Sequence, residues 1–284
     1  MPAPDSRRLG SFFGILVLAA ATISVALRVT EYGLTTLTSV YMFSPLVAGA
    51  VVCVVHGISF RAVGFRFGRA RWLLAAVLIA LPLVGLTFLI AIGVPGVGYN
   101  PTADPLPGAP LPGGGLGVLA MFGLILAVGS TVNAVFAFGE EFGWRGYLLW
   151  ELAPWGFWPA TVSIGGVWGL WHAPIIVAGY NFPSYPLVGV VVMTVAGIAL
   201  SPVYTYLVIR AESVVAAALL HGVFNGSAGL VIAFAVAEGS LRRELIASPV
   251  GLAGIVAFGL AAILIAVRGA PELSRNRLFD SSER

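Results

Sequence analysis

Lysine is absent from this 284-residue chain, cysteine occurs once, histidine occurs three times, and charged residues make up only 10% of the sequence. Each scarcity excludes something. With so few charges, 59% hydrophobic residues and a mean hydropathy of +0.99, the chain lies outside the balance of a soluble globular domain. The lone thiol, Cys53, excludes an internal disulfide framework and any multi-cysteine metal site, and reads as a core thiol in an apolar helix. All fifteen basic residues are arginine, a bias of genome composition that carries no functional reading. They gather near the ends of apolar runs and form no continuous stripe, so a pI near 9.3 reflects topology signals, and nucleic acid is not an expected partner. There is no internal repeat and no His-Glu-x-x-His pair.

What the chain does have is apolar runs of about 17–25 residues, long enough to cross a bilayer as helices. Eight are expected, at roughly 11–28, 39–57, 72–93, 116–138, 158–178, 186–209, 213–236 and 249–268. The fold class is therefore all-α, a polytopic membrane helical bundle with the lipid bilayer as its surroundings. No soluble domain fits between the runs. Residues 1–284 read as a single integral-membrane domain, with a motif-bearing core at about 116–236 and a tail at about 269–284. The first run follows Arg7 and Arg8 as a signal peptide would, but seven further spans favour an uncleaved anchor. From Val94 to Gly117 the chain is crowded with proline and glycine, including Pro105, Pro107, Pro110, Pro112 and Gly113 to Gly115, so it is expected to be an irregular loop.

Arginine-rich short loops stay on the cytoplasmic side. Arg7 and Arg8, then Arg61, Arg66, Arg69 and Arg71, then Arg268, Arg275, Arg277 and Arg284 all fall on one side of an eight-span chain. The expectation is a multi-pass protein of the cell membrane with both termini in the cytoplasm. Arg242 and Arg243 dissent, offset by Glu238 and Glu244.

Three polar clusters interrupt the apolar runs: Glu140-Glu141-Phe-Gly-Trp-Arg145, Trp168-Gly-Leu-Trp-His172 and His221-Gly-Val-Phe-Asn225. Ionisable groups inside a membrane persist where they pair, line a cavity or perform chemistry. At about 100° per residue, Glu141 and Arg145 lie within about 40° of each other on a helix and are expected to pair, whereas Glu140 points about 140° away from Arg145. Glu140 is thus the carboxylate left without a local counter-ion and the better general base. Pro174 removes a backbone hydrogen bond just after His172 and is expected to bend the helix there. His221 and Asn225, one turn apart, share a face and offer either hydrogen-bond donors for an oxyanion or ligands for a metal. Glycines four apart in each motif (Gly139 and Gly143, Gly165 and Gly169, Gly222 and Gly226) permit close helix approach, which would bring the polar faces together. Straight helices leave one difficulty: Glu140 falls at the inner end of its span and His172 about 20 Å along the next.

The order Glu-Glu-x-x-x-Arg, aromatic-x-x-x-His, His-x-x-x-Asn resembles the CAAX prenyl protease and bacteriocin-processing family, the CPBP or Abi-type intramembrane proteases, over roughly residues 130–235. The resemblance implies an α-helical endopeptidase in which Glu140 and His172 activate water, His221 and Asn225 stabilise the oxyanion, and Glu141 and Arg145 support them. The substrate it implies is a hydrophobic or lipidated peptide or protein, cut near the cytoplasmic boundary. This chain departs from the usual pattern in one place: the second motif ordinarily begins with Phe and here begins with Trp168, a larger ring that narrows the pocket. A purely glutamate-dependent mechanism and a divalent metal such as zinc, held by Glu140, His172 and His221, both remain open. So does a reading from another class, a catalytically silent scaffold or immunity-type protein that binds a partner through the same groove. A small-solute transporter is disfavoured, since no paired repeat with matching broken helices is present.

Overall fold

The computed structural model describes residues 3–104 and 114–275. Pro105, Pro107, Pro110, Pro112, Gly113 and the tail beyond Arg275 lie outside the described residues. Within lipid every backbone polar group must be satisfied internally, and apolar runs of this length meet that demand as helices. The elements in chain order are α1 (Ser6–Val29), α2 (Leu34–Tyr41), α3 (Ser44–Val55), α4 (Ala70–Ile92), a short strand β1 (Val97–Tyr99), α5 (Gly114–Val128), α6 (Ala134–Glu141), α7 (Leu149–Leu152), α8 (Phe157–Trp171), α9 (Ala173–Val177), α10 (Pro186–Ala211), α11 (Val215–Phe234), strand β2 (Ala235–Ala237) and α12 (Leu252–Arg268). Gly114 and Gly115 open α5, so the irregular stretch expected from Val94 to Gly117 is shorter than its composition implies. Part of it, β1, pairs antiparallel with β2, Gly98 facing Val236.

Among the described residues seven helical segments are long and apolar enough to cross a membrane: Ser6–Val29, Leu34–Val55, Ala70–Ile92, Gly114–Trp155, Phe157–Val177, Pro186–Ala211 and Val215–Phe234. This is a multi-pass membrane protein. The eighth expected span is α12, a shorter apolar helix about 26 Å long at 1.5 Å per residue. Polar contacts at the two ends of the bundle show that it also crosses. At one end, Glu151 receives the Asp5 amide at 2.7 Å, Arg8 Nε at 2.8 Å and the Arg275 guanidinium, which ties the first residues, the fourth loop and the chain after α12 together. Arg66 and Arg69 meet Glu212 at 3.2 and 2.6 Å, joining the second and sixth loops. Val63 O lies within 3.1 Å of where a Cβ on Gly146 would stand, so that pair shares the Glu151 end. At the other end, β1 pairs with β2, Arg242 Nε donates to Pro95 O at 3.0 Å, and Glu244 accepts from Ser184 N and Oγ at 2.9 and 2.7 Å. Odd and even loops therefore separate as eight crossings require.

The largest difference from the sequence expectation is the fourth span, expected to end near residue 138. The helix runs on to Trp155 through two wider π-helical stretches, Gly129–Asn133 and Phe142–Leu148. Local widening of this kind recurs at functional sites. Hydropathy ended the span at Glu140 because charges begin there, yet those side chains face the protein interior and the backbone stays helical. Glu140 consequently sits about 16 Å in from Glu151, counted at 1.5 Å per residue, which removes the depth mismatch with His172.

The glycine pairs do permit close approach, but mostly to neighbours other than one another. A Cβ on Gly143 would stand 2.4 Å from Pro45 O in α3, and one on Gly165 2.4 Å from Gly197 O in α10. Gly222 and Gly226 press one motif helix onto the glutamate-bearing one, a Cβ standing 2.3 Å from Gly129 O in the first case and 3.2 Å from Asn133 Nδ2 in the second. Cys53 is a buried free thiol, as expected of a core position.

Candidate active site

Glu140 and Glu141 end α6, and Arg145 follows in the π-helical stretch, all three almost wholly buried. Arg145 Nη1 donates to both oxygens of Glu141, at 3.0 and 3.1 Å, so the pair read from the i, i+4 spacing forms. Glu141 Oε1 also accepts from His221 Nδ1 at 2.8 Å. The Arg145 guanidinium lies over two rings, Cζ at 4.4 Å from the Trp168 centroid and 4.7 Å from that of Tyr204. Its Nε and Nη2 have no hydrogen-bond partner among the described residues, and the two π-faces take the place of that solvation.

Glu140 points elsewhere, as its helical position requires. Its Oε2 accepts from the Trp168 indole Nε1 at 2.6 Å. His172 lies where α8 breaks into α9; its amide bonds Gly169 O at 3.2 Å and Pro174 stands in the first turn of α9, so the helix is interrupted where the proline was expected to bend it. His172 Nδ1 contacts Trp168 O at 2.8 Å. A carbonyl only accepts, so Nδ1 carries the proton, and in the neutral ring Nε2 keeps its lone pair. His221 is held in the same way by a carboxylate on Nδ1, which leaves its Nε2 free of that bond.

Glu140, Trp168, His172, His221 and Asn225 line one cavity enclosing about 510 Å³ of empty space, open mouth included. Asn225 differs from the others in being exposed. About 60 Å³ of it admits the centre of a water-sized sphere, and one water needs about 10–15 Å³ by that measure, so the cavity holds water. Thr38, Met42, Tyr180, Asn181 and Val250 also line it. These residues come from segments with no polar motif, and nothing in their sequence marks them. Tyr180, Asn181 and Val250 belong to the fifth and seventh loops, so the cavity lies toward the end of the bundle that carries β1 and β2, away from Glu151. His56, the third histidine, caps α3 in an exposed position and takes no part.

As for a metal, no three His, Cys, Asp or Glu side chains among the described residues gather closely enough to hold one. Glu140, His172 and His221 share the cavity without forming such a group.

No curated protein matches the chain. Residues 122–227 match the family model described as type II CAAX prenyl endopeptidase Rce1-like, and that segment contains all three motifs, from Glu140 to Asn225. Over that segment, a little over a third of its length, the chain is similar to the CAAX-type membrane proteases.

Proposed function

We propose that the protein is an intramembrane endopeptidase that hydrolyses a peptide bond in a hydrophobic or lipidated substrate, with Glu140 and His172 activating water and His221 and Asn225 stabilising the oxyanion. The observation that carries this reading is that the four side chains line one cavity inside a membrane bundle. Water hydrogen-bonded between the Glu140 carboxylate and His172 Nε2 loses a proton to Glu140 as its oxygen attacks the scissile carbonyl. The tetrahedral oxyanion accepts from the Asn225 carboxamide and from Nε2 of His221 in its doubly protonated form, whose Nδ1–H remains on Glu141. Glu140 then delivers the proton to the leaving nitrogen as the C–N bond breaks. Arg145 neutralises Glu141 and so keeps that carboxylate in place beside His221.

The arginine-rich ends at Arg8, Arg66, Arg69 and Arg275 lie at the Glu151 end of the bundle, which supports a cytoplasmic location for both termini. With that orientation the cavity occupies the opposite half of the membrane, so the scissile bond is expected there and not at the cytoplasmic boundary. Cleavage of a fluorogenic hydrophobic peptide by the purified protein in proteoliposomes tests the reading. Glu140→Ala is expected to abolish turnover. Cleavage at the wild-type rate by that variant sinks the proposal and leaves the silent scaffold in its place.

A further inference from the structure

Trp168 touches Glu140, His172 and His221, three of the four residues assigned to the chemistry, and Arg145 beside them. Its indole N–H donates to Glu140 at 2.6 Å, its carbonyl accepts from His172 Nδ1 at 2.8 Å, its ring meets His221 edge to face at 5.5 Å and 76°, and the Arg145 cation lies over its face at 4.4 Å. The side chain is buried, and among the described residues no other donor reaches Glu140. A phenylalanine, usual at this place in the motif the chain resembles, is smaller and has no N–H. The ring therefore does more here than narrow the pocket.

We infer that Trp168 is a positioning residue that holds the Glu140 carboxylate for proton transfer, an inference that rests on the reading of Glu140 as the base. Indole is a donor only, so it fixes one carboxylate oxygen without competing for the proton. Oε2 is occupied and Oε1 is left for water. Without the bond, the terminal torsion of a glutamate is broad, and the carboxylate samples orientations that do not face the nucleophile. Arg145 reinforces the arrangement, because a cation over the indole face draws electron density from the ring and makes its N–H a stronger donor. The motif arginine thus reaches Glu140 through Trp168 as well as anchoring Glu141.

Trp168→Phe keeps an aromatic ring toward Arg145, His172 and His221 and deletes the N–H together with the outer part of the bicycle, so kcat is read per folded molecule. In the full-length protein in proteoliposomes, kcat is expected to fall by about ten- to a hundredfold, the loss associated with one buried hydrogen bond to a charged group, with KM within about twofold. A purely structural role lowers the active fraction and leaves kcat per folded molecule unchanged. A second measurement needs no change at Trp168. The seven tryptophans give seven indole N–H resonances, and one of them, displaced downfield by a carboxylate partner, is expected to move in Glu140→Gln. An unchanged kcat in Trp168→Phe, or no indole resonance that moves in Glu140→Gln, overturns the inference. The two readings fail separately: an inactive Glu140→Ala beside a fully active Trp168→Phe keeps the base and removes its positioner, whereas an active Glu140→Ala removes the base itself.

Discussion

Two glutamates eleven positions apart on one continuous helix, Glu140 and Glu151, are both buried and have opposite surroundings. Glu151 accepts from the Asp5 amide, from Nε and Nη2 of Arg8 and from Nη2 of Arg275, with two cations against one carboxylate. Glu140 accepts one indole N–H and otherwise faces a cavity. A carboxylate whose lone pairs are filled is a fastener. One left with an open oxygen beside a water-sized space retains capacity for chemistry, and a membrane interior makes such a residue costly unless it is used. Burial alone does not separate the two; the number of donors already engaged does.

The contrast breaks most visibly at Glu140 itself. Glu140→Gln keeps the shape and the acceptor for Trp168 and removes the base, so turnover is expected to fall by about 10²–10⁴-fold while the melting temperature in detergent stays near that of wild type. Arg145→Met comes next. It leaves Glu141 buried beside His221 without its cation, and breaking a buried pair costs about 3–5 kcal/mol, seen as a lower melting temperature together with lost activity. Arg145→Lys is expected to recover only part of both, since an ammonium pairs with Glu141 but lacks the planar face that covers Trp168 and Tyr204.

Glu151→Gln is the mirror of Glu140→Gln. Arg8 and Arg275 lose their shared counter-charge, and about 2–3 kcal/mol of stability is expected to go with it, read as a lower melting temperature. The kcat of the molecules that remain folded is expected to hold. Equal loss of kcat in both variants erases the distinction between fastener and base.

Much of this was legible in the sequence, and the misreadings share one cause. The apolar runs mark the spans because lipid leaves the backbone no partner but itself. Spacing alone paired Glu141 with Arg145 and turned Glu140 away, because both facts are local to one helix. Hydropathy, however, measures side-chain polarity, so it closed the fourth span where the motif begins, although the helix continues past Leu148. The bond between Trp168 and Glu140 was half readable: an indole must donate, but its acceptor is 28 residues away and on another helix. Gly165 and Gly169 showed that some helix comes close without showing that it is α10. The i, i+4 spacing puts Asn225 on the face of His221, and both line the cavity, whereas the exposure of Asn225 depends on what packs opposite.

The smallest expected effect concerns the wall of the cavity. Tyr180 and Asn181 line it from the loop that precedes α10, and that loop is held by Ser184, whose amide and hydroxyl both donate to Glu244. Like Glu151, Glu244 is a fastener, but it ties a loop to a loop, where Glu151 ties three parts of the bundle together. Ser184→Ala removes the hydroxyl bond and keeps the amide bond, a loss of about 1 kcal/mol confined to the loop. The melting temperature is expected to stay constant while amide hydrogen exchange around residues 179–185 accelerates about fivefold, since a local opening equilibrium changes without the global one. If the substrate enters past Tyr180 and Asn181, KM responds as well while kcat at saturation does not, because Glu140 and its indole partner lie on helices that the loop does not hold. Acceleration spread over α8 and α10 shows instead that the wall and the floor of the cavity open together, and then Glu244 belongs with Glu151 as a fastener of the whole bundle.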